Sequence, residues 1–185
     1  MSEIDLISAS QQGSTSSFTQ LVELYQPRLT GYLLAHNQIR QEVEDIIQET
    51  FLNAFRHIKS YNPKWQFSTW IYTIARRIAS KKSSPYQQHN FDDSIKYTQE
   101  LGKQLKIESP LKNIWVLIRP VMNDDAFDTL WFFYAQGLPL KDIAKILNKS
   151  EVWVKVTLYR SKKKLSSLPS VQKLFDELIE SFEYS

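Results

Sequence analysis

Two oppositely charged segments are the first places in the sequence where side chains could bind a partner. Residues 42–51 carry four acids and no base, whereas Lys141–Lys164 carries eight basic residues and two acids. Clustered Lys and Arg side chains neutralise phosphates, and a clustered acidic surface attracts a basic protein surface. An acidic surface cannot bind DNA phosphates, so the two segments predict two different partners. The alternative for the acidic segment is an ordinary solvated face.

The acidic segment has the strongest helical pattern in the chain. Its apolar positions follow a 3-1-3-1 spacing from Val43 to Ile58, which predicts an amphipathic helix. Asp45 and Glu49 are four residues apart and therefore share one face of that helix, with Gln48 beside them. The candidates for binding a basic protein surface are Glu44, Asp45, Gln48 and Glu49.

An aromatic segment that ends in cations is a second candidate binding site. Aromatic rings stack on bases while Lys and Arg follow phosphates, so residues 61–82 predict binding of single-stranded DNA. Each good stack contributes on the order of 1–3 kcal/mol. The candidates are Tyr61, Asn62, Lys64, Trp65, Phe67, Trp70, Arg76, Arg77 and Lys81. The alternative, burial in a core, is open for Phe67 and Trp70 and equally for Tyr61 and Trp65.

Residues 136–165 carry the signals of a helix-turn-helix, whose second helix enters the major groove of DNA. Ala144 is the small residue facing the partner helix, and Asn148 stands where the chain must turn, because Asn tolerates left-handed backbone angles. Ser150 is placed to cap the second helix. The candidates for DNA contact are Lys149, Ser150, Trp153, Lys155, Thr157, Arg160, Lys163 and Lys164. The alternative is a solvated helical hairpin with a basic surface.

The sequence offers no residue pattern typical of an enzyme, so we predict a binding protein without catalytic residues, cofactor or metal. His36, His57 and His89 lie in different segments, there is no Cys, and no Gly-rich phosphate loop occurs. The N-terminus lacks the basic and apolar regions of a signal peptide, and no apolar run approaches about 20 residues. These features favour a cytoplasmic protein without a membrane span.

The elements that must position these side chains are predicted to be helices, which makes the chain all-α. The first block, residues 16–80, is predicted to hold a helix with a bend at Pro27, the acidic helix, and a helix that Ser68 caps. The second block is predicted to hold helices at about 110–121, 124–136, 140–147 and 151–167.

The predicted domain organisation places a linker between the two helical blocks. The first domain is residues 1–82, and the polar stretch 83–108 is the linker, with a short helix near 97–106. The second domain, 109–168, begins with Ser109 and Pro110 as helix cap and first helical residue. Residues 169–185 are predicted to form one more amphipathic helix with an acidic polar face.

Three motifs in this order resemble those of a known family. Residues 44–51, EDIIQETF, look like sigma region 2.2, and residues 67–76, FSTWIYTIAR, are similar to the helix of regions 2.3–2.4. Residues 137–147, GLPLKDIAKIL, resemble region 4.2. Their order and spacing resemble the sigma-70 superfamily of RNA polymerase sigma factors, in the minimal extracytoplasmic-function (ECF) type with regions 2 and 4 only. The resemblance covers about residues 18–168.

The resemblance implies a promoter-recognition subunit that acts with core RNA polymerase. It implies that Asp45, Gln48 and Glu49 contact the clamp helices of the beta-prime subunit, and that residues 61–82 hold the unwound minus-10 strand. Residues 151–164 then lie in the major groove at the minus-35 element. It also implies that the second domain docks on the flap of the beta subunit, that the linker threads through polymerase, and that an anti-sigma factor is a possible further partner.

Several positions depart from the family pattern. Arg77 stands where Asn is usual, Lys81 where Asp is usual, and Pro139 where Ser or Thr caps the helix. On the second helix the family's usual Gly-Thr-Val-Lys-Ser-Arg is changed at Val152, Trp153, Val156 and Thr157. Thr157 removes a cation from the DNA side, so these departures bear mainly on the minus-35 contact.

Two other functions compete with that of a sigma factor. A stand-alone helix-turn-helix regulator accounts for Lys141–Lys164 but leaves the acidic helix and the aromatic segment without a role. A helical adaptor that binds proteins and no nucleic acid is the other alternative. A regulator shifts duplex DNA by itself, whereas a sigma factor needs core enzyme; an adaptor shifts no DNA at any salt concentration.

Overall fold

The computed structural model describes residues 1–36, 40–82, 115 and 118–168, and within these ranges every regular element is a helix. The chain divides into a first unit, Met1–Gln87, and a second unit, Gln88–Ser185. The predicted linker and C-terminal helix, residues 83–108 and 169–185, lie outside the described residues, as does the predicted helix at 110–121 apart from Trp115 and its last four residues.

Four α-helices lie in the described residues of the first unit, 1–36 and 40–82. They are α1 (Glu3–Gln11), α2 (Thr15–Ala35), α3 (Arg40–His57) and α4 (Phe67–Lys82), with a 3-10 turn at Ile58–Ser60 after α3. Helix α2 packs on α1, α3 and α4, and α3 packs on α4. The first helix predicted from the sequence corresponds to α2, which continues through Pro27.

Helix α1 was not predicted from the sequence, although a local signal for it exists. The Ser2 hydroxyl accepts the Asp5 N–H at 3.2 Å, and the Asp5 carboxylate accepts the Ser2 N–H at 3.0 Å, which is a capping box. Leu6 is buried against the bundle. The Gln11 side chain donates to the carbonyls of Ile58 and Tyr61, both at 3.1 Å. Helix α1 therefore holds the segment that leads into α4.

The core of the first unit joins aliphatic residues of α2 and α3 to aromatic residues of α4. Its fully buried large side chains include Leu21, Leu29, Tyr32, Leu33, Ile46, Phe67, Ile71 and Tyr72. Each such aliphatic or aromatic side chain stabilises the fold by roughly 1.5–3 kcal/mol through removal from water. Burial also raises the pKa of the Tyr72 phenol well above its usual range.

The predicted helix start near Ser68 is confirmed to within one residue, but the predicted cap at Ser68 is wrong. Helix α4 begins at Phe67, and the Ser68 hydroxyl lies in the first turn, where it donates to the Gln66 side chain at 3.2 Å. Phe67 is almost completely buried, and the hydrophobic anchor rather than a hydroxyl cap therefore fixes where α4 begins.

Within its described residues, 115 and 118–168, the second unit has three further α-helices whose bounds are defined. They are α5 (Asp124–Leu130), α6 (Leu140–Leu147) and α7 (Glu151–Ser166), and a 3-10 turn at Arg119–Val121 precedes them. The prediction of one helix over residues 124–136 holds in part, since α5 passes at Trp131–Ala135 into a π-helical turn. Helix α7 packs on α5 and α6 around Phe127, Phe132, Ile143, Leu147, Val154 and Leu158.

Candidate functional site

The acidic helix presents its charge outward. On α3 the side chains of Val43, Ile46 and Thr50 are buried, whereas Asp45 and Glu49 are exposed on the opposite side. Glu44 and Gln48 are exposed as well. The four candidates for binding a basic partner therefore lie on the solvent side of one helix, as the spacing predicted.

Glu49 also contacts the end of α4 in the same unit. Its carboxylate lies 3.3 Å from the Lys82 ammonium, and both side chains remain partly exposed. An ion pair of this kind contributes little to stability, typically less than about 1 kcal/mol. A cationic partner can therefore displace Lys82 from Glu49 at small cost.

Two apolar side chains extend the acidic face, and the sequence analysis missed their exposure. Leu52 and Phe55 are about half-exposed on α3, and the Phe55 ring meets Phe18 edge-on with centroids 5.1 Å apart. Leu52 follows Gln48 by four residues and Phe55 follows it by seven, which places all three on one side of the helix. This spacing from Gln48 could have placed both side chains on the exposed face, although Phe55 also fits the apolar pattern that was assigned to the buried face.

The aromatic segment divides into buried and accessible rings. Phe67 is 1% exposed and Tyr61 8% exposed. The Phe67 ring lies 5.1 Å from Tyr25, 5.5 Å from Tyr61 and 5.4 Å from Trp70. The prediction that Tyr61 and Phe67 stack on bases does not fit this geometry, because a ring with no free face cannot receive a base. They are core residues here.

The accessible part of the segment is the loop before α4 and the outer side of α4. Trp65 and Trp70 are half-buried, and Asn62 and Lys64 are exposed. The Tyr61 hydroxyl donates to the Trp65 carbonyl at 2.6 Å, and the Asn62 side chain accepts the Lys64 N–H at 2.9 Å. These two bonds fix the backbone of the loop. Farther along α4, Arg76 is half-buried and Arg77 and Lys81 are exposed.

The helix-turn-helix has the backbone that the sequence predicted. Asn148 adopts the left-handed conformation, with φ 55° and ψ 46°, and the Lys149 N–H bonds to the Ala144 carbonyl at 2.9 Å. The Ser150 hydroxyl accepts the Trp153 N–H at 3.1 Å and caps α7. Pro139 precedes α6 without a side-chain cap. The turn therefore sets α7 against α6 through local bonds.

The predicted DNA contacts on α7 separate into structural and accessible residues. Ser150 is occupied as the cap, and the Lys164 ammonium donates to the Val121 carbonyl at 2.5 Å. Lys149 pairs with Asp125 at 3.3 Å and lies 5.2 Å from the centre of the Trp153 ring. Thr157 and Trp153 are half-buried, whereas Lys155, Arg160 and Lys163 are exposed. The last three form the accessible cationic set.

Neither a metal centre nor a membrane span is found in the described part of the chain. No group of three or more His, Asp or Glu side chains comes together there. None of the helices in the described ranges is long and apolar enough to cross a membrane.

Comparison with known proteins shows which proteins the chain is similar to. The family described as Sigma-70 region 2 matches residues 21–82. The ECF RNA polymerase sigma-E factor of Haemophilus influenzae is 25% identical over 88% of this chain and 92% of its own length. The ECF RNA polymerase sigma factor SigW of Bacillus subtilis is 28% identical over 84% of this chain and 90% of its own. The chain therefore contains a sigma-70 region 2, and over more than four fifths of its length it is similar to ECF RNA polymerase sigma factors.

A solved structure has the same fold as this chain. In the structure of CnrH in complex with the cytosolic domain of CnrY, the matched chain aligns with a TM-score of 0.67 at 16% identity, over 93% of this chain and 96% of that one. Both compared relatives are named as RNA polymerase sigma factors, which supports a role for this chain in transcription initiation. The region 2 match includes α3, the aromatic segment and α4, and therefore holds the acidic face and the accessible tryptophans.

Proposed function

We propose that this chain is a sigma factor that binds core RNA polymerase and directs initiation to promoters by contacting both the minus-10 and the minus-35 elements. The observation that carries the proposal is the division of charge between two helices. Helix α3 exposes Asp45, Gln48 and Glu49, whereas α7 exposes Lys155, Arg160 and Lys163. One helix suits a basic protein surface and the other suits phosphates, so a single partner cannot satisfy both.

The polymerase contact is assigned to the acidic face of α3. By resemblance to sigma region 2.2, its partner is the pair of clamp helices of the beta-prime subunit. Asp45 and Gln48 are exposed on this face, and Glu49 is held only by an exposed ion pair. Leu52 and Phe55 add apolar area beside them, which is the composition of an interface with an apolar centre and a polar rim.

The minus-10 contact is assigned to the accessible tryptophans and the nearby cations. Trp65 and Trp70 each keep part of a ring available to an unstacked base, and Lys64, Arg77 and Lys81 are available to phosphates. Tyr61 and Phe67 act beneath them as the support that holds the loop in place. Rigid support matters because a base captured outside the duplex is bound only if its pocket is already formed.

The minus-35 contact is assigned to α7, the second helix of the helix-turn-helix. Its exposed cations bind phosphates, and residues near its start at Glu151 are in position to meet base edges. Docking of this unit on the beta flap, and a regulatory protein partner of the anti-sigma kind, follow from the family resemblance. The similarly folded CnrH is bound to the cytosolic domain of CnrY.

The polymerase assignment is tested by reversing one charge on α3. Asp45→Lys places a cation in the acidic face and is expected to weaken binding to core polymerase by about tenfold or more, because like charges then meet. Glu23→Lys on α2 is the matched control, since Glu23 is also an exposed helical acid. Binding is measured by titrating labelled full-length chain with core enzyme. Equal affinity of Asp45→Lys and wild type contradicts the assignment.

A stand-alone regulator is the second candidate, and the well-formed helix-turn-helix is what favours it. The two functions differ in what they require. A regulator retards duplex promoter DNA without polymerase, whereas a sigma factor does so only after binding core enzyme. A gel-shift assay of the chain alone and with core enzyme, at two salt concentrations, separates them.

A further inference from the structure

The outward side of α7 carries an apolar stripe between its cations. Val152, Val156 and Tyr159 are 69%, 40% and 69% exposed. They follow one another at intervals of four and three residues and therefore share one face of the helix. Val154 and Leu158, which are buried against the rest of the unit, lie on the opposite side. The stripe is thus central to the surface that faces away from the protein.

The cations beside the stripe indicate what covers it. Lys155 and Lys163 are exposed on either side of Val156 along the helix, and Arg160 is exposed next to Tyr159. An apolar protein groove would leave these charges without partners at its rim. The major groove of DNA instead has phosphates along both edges, and its floor offers the C5-methyl group of thymine as an apolar contact. The exposed cations therefore match the phosphates of duplex DNA, and the apolar stripe matches its thymine methyl groups.

We infer that Val152 and Val156 read thymine methyl groups in the upstream promoter element, an inference that rests on the proposed function of α7. The two residues are four positions apart, a rise of about 6 Å along the helix, which spans about two base-pair steps of 3.4 Å. Val152 is the second residue of α7, and recognition helices meet base edges with their N-terminal residues. The expected target is a pair of thymines about two base pairs apart.

Valine at these positions also disfavours the other bases. Cytosine has an amino group and no methyl group on its major-groove edge. Contact with a valine leaves that donor buried without an acceptor, which costs binding energy. The preference for thymine therefore has two origins: a favourable contact with its methyl group, and the cost of burying the amino group of cytosine without an acceptor.

The first test removes only the methyl groups. Promoters are selected from a library randomised in the upstream element, using core polymerase loaded with the full chain, and each selected thymine is then replaced by deoxyuridine. All hydrogen-bonding groups remain after this change. We expect two thymine positions at which deoxyuridine weakens holoenzyme binding by about fourfold each, the value of one buried methyl group. Unchanged affinity at every substituted position overturns the inference.

The second test removes the valines. In a Val152→Ser, Val156→Ser double variant the difference between thymine and deoxyuridine is expected to fall to about onefold, because no apolar partner is left. Ile4→Ser is the matched control, since Ile4 is a highly exposed aliphatic residue on α1. If the double variant keeps the wild-type thymine preference, the stripe serves a protein partner instead and the inference fails. A holoenzyme that opens no selected promoter overturns the proposed function, and with it this inference.

Discussion

Helices α3 and α7 have the same architecture and opposite surfaces. Each buries an aliphatic stripe against its own unit, with Ile46 at 0% exposure in α3 and Val154 at 0% in α7. Outward, α3 presents acids with Leu52 and Phe55, whereas α7 presents cations with two valines and Tyr159. The buried side of each helix determines how it packs, and the exposed side determines what it binds. The residues that we propose to bind partners are therefore ones that contribute little to the fold.

The described parts of the two units also differ in whether acidic side chains are buried in their cores. In the described part of the first unit no acidic side chain is buried. The second unit buries Asp128 and Asp142, and both carboxylate oxygens of Asp142 lack a hydrogen-bond partner. A buried carboxylate without a partner is unfavourable. The described part of the second unit therefore buries an unsatisfied carboxylate, whereas the unsatisfied buried side-chain atom in the described part of the first unit is the neutral hydroxyl of Thr69.

The largest expected effect comes from the aromatic core of the first unit. Phe67→Ala deletes a buried ring that contacts Tyr25, Tyr61 and Trp70, and we expect the free energy of unfolding of that unit to fall by about 3–5 kcal/mol. Trp65→Ala removes a half-buried ring and should cost about 1 kcal/mol while impairing promoter opening. Urea unfolding of the full chain, followed by circular dichroism, measures both. Similar stability losses in the two variants would show that Phe67 and Trp65 do not have separate roles.

The next effect concerns the cations of α7. Replacing both Lys155 and Arg160 by Ala removes two exposed charges. We expect the slope of log affinity against log salt for promoter binding by the holoenzyme to decrease in magnitude by about 1.8. Affinity of the variant for core polymerase is the control and should not change. An unaltered salt slope would mean that these side chains do not lie at phosphates.

A smaller effect, with the opposite sign, is expected for Asp142. Asp142→Asn removes the buried charge and keeps the shape of the side chain. It should stabilise the second unit by about 1 kcal/mol, because the unpaired carboxylate costs about 1–3 kcal/mol and its favourable place in the first turn of α6 offsets part of that. Thermal unfolding of the full chain measures the change. Loss of stability would reveal that the carboxylate has a stabilising partner.

The smallest effect tests the turn that orients α7. Asn148 holds a left-handed backbone with φ 55°, which most side chains adopt only at a cost. Asn148→Ala should therefore destabilise the second unit by about 1 kcal/mol, and Asn148→Gly should stay within a few tenths of wild type. Equal unfolding midpoints of the Ala and Gly variants would contradict the assigned turn geometry.

Local signals in the sequence predicted the helix-turn-helix and the acidic face well. Asn148 and Ser150 act through their own backbone neighbours, and the acids of α3 follow from helical spacing alone. The domain limits at 82, 109 and 168 remain predictions, as does the role of each site residue. For the domain limits and the site residues the sequence supplies a resemblance to a known family, and a resemblance gives no distances or contacts.

The failures of sequence reasoning arose where tertiary contacts override local preference. Ser68 has the chemistry of a cap, but it is buried inside the first turn of α4, after the buried Phe67. Helix α1 is a different case, because Ser2 and Asp5 gave a local capping signal that was overlooked; its Gln11 side chain also bonds to a segment 47 to 50 residues away. Whether Tyr61 stacks on DNA or packs in the core could likewise be decided only by its neighbours in space.

The measurement that tests the account most directly is promoter opening by core RNA polymerase with and without this chain. Promoters selected with the loaded enzyme are probed with permanganate, which modifies unpaired thymines. We predict reactive thymines around the minus-10 element only when core enzyme and full-length chain are both present. We expect this reactivity to be lost when the Asp45→Lys variant replaces the wild-type chain. Reactivity that is the same without the chain, or no reactivity on any promoter, would contradict the account.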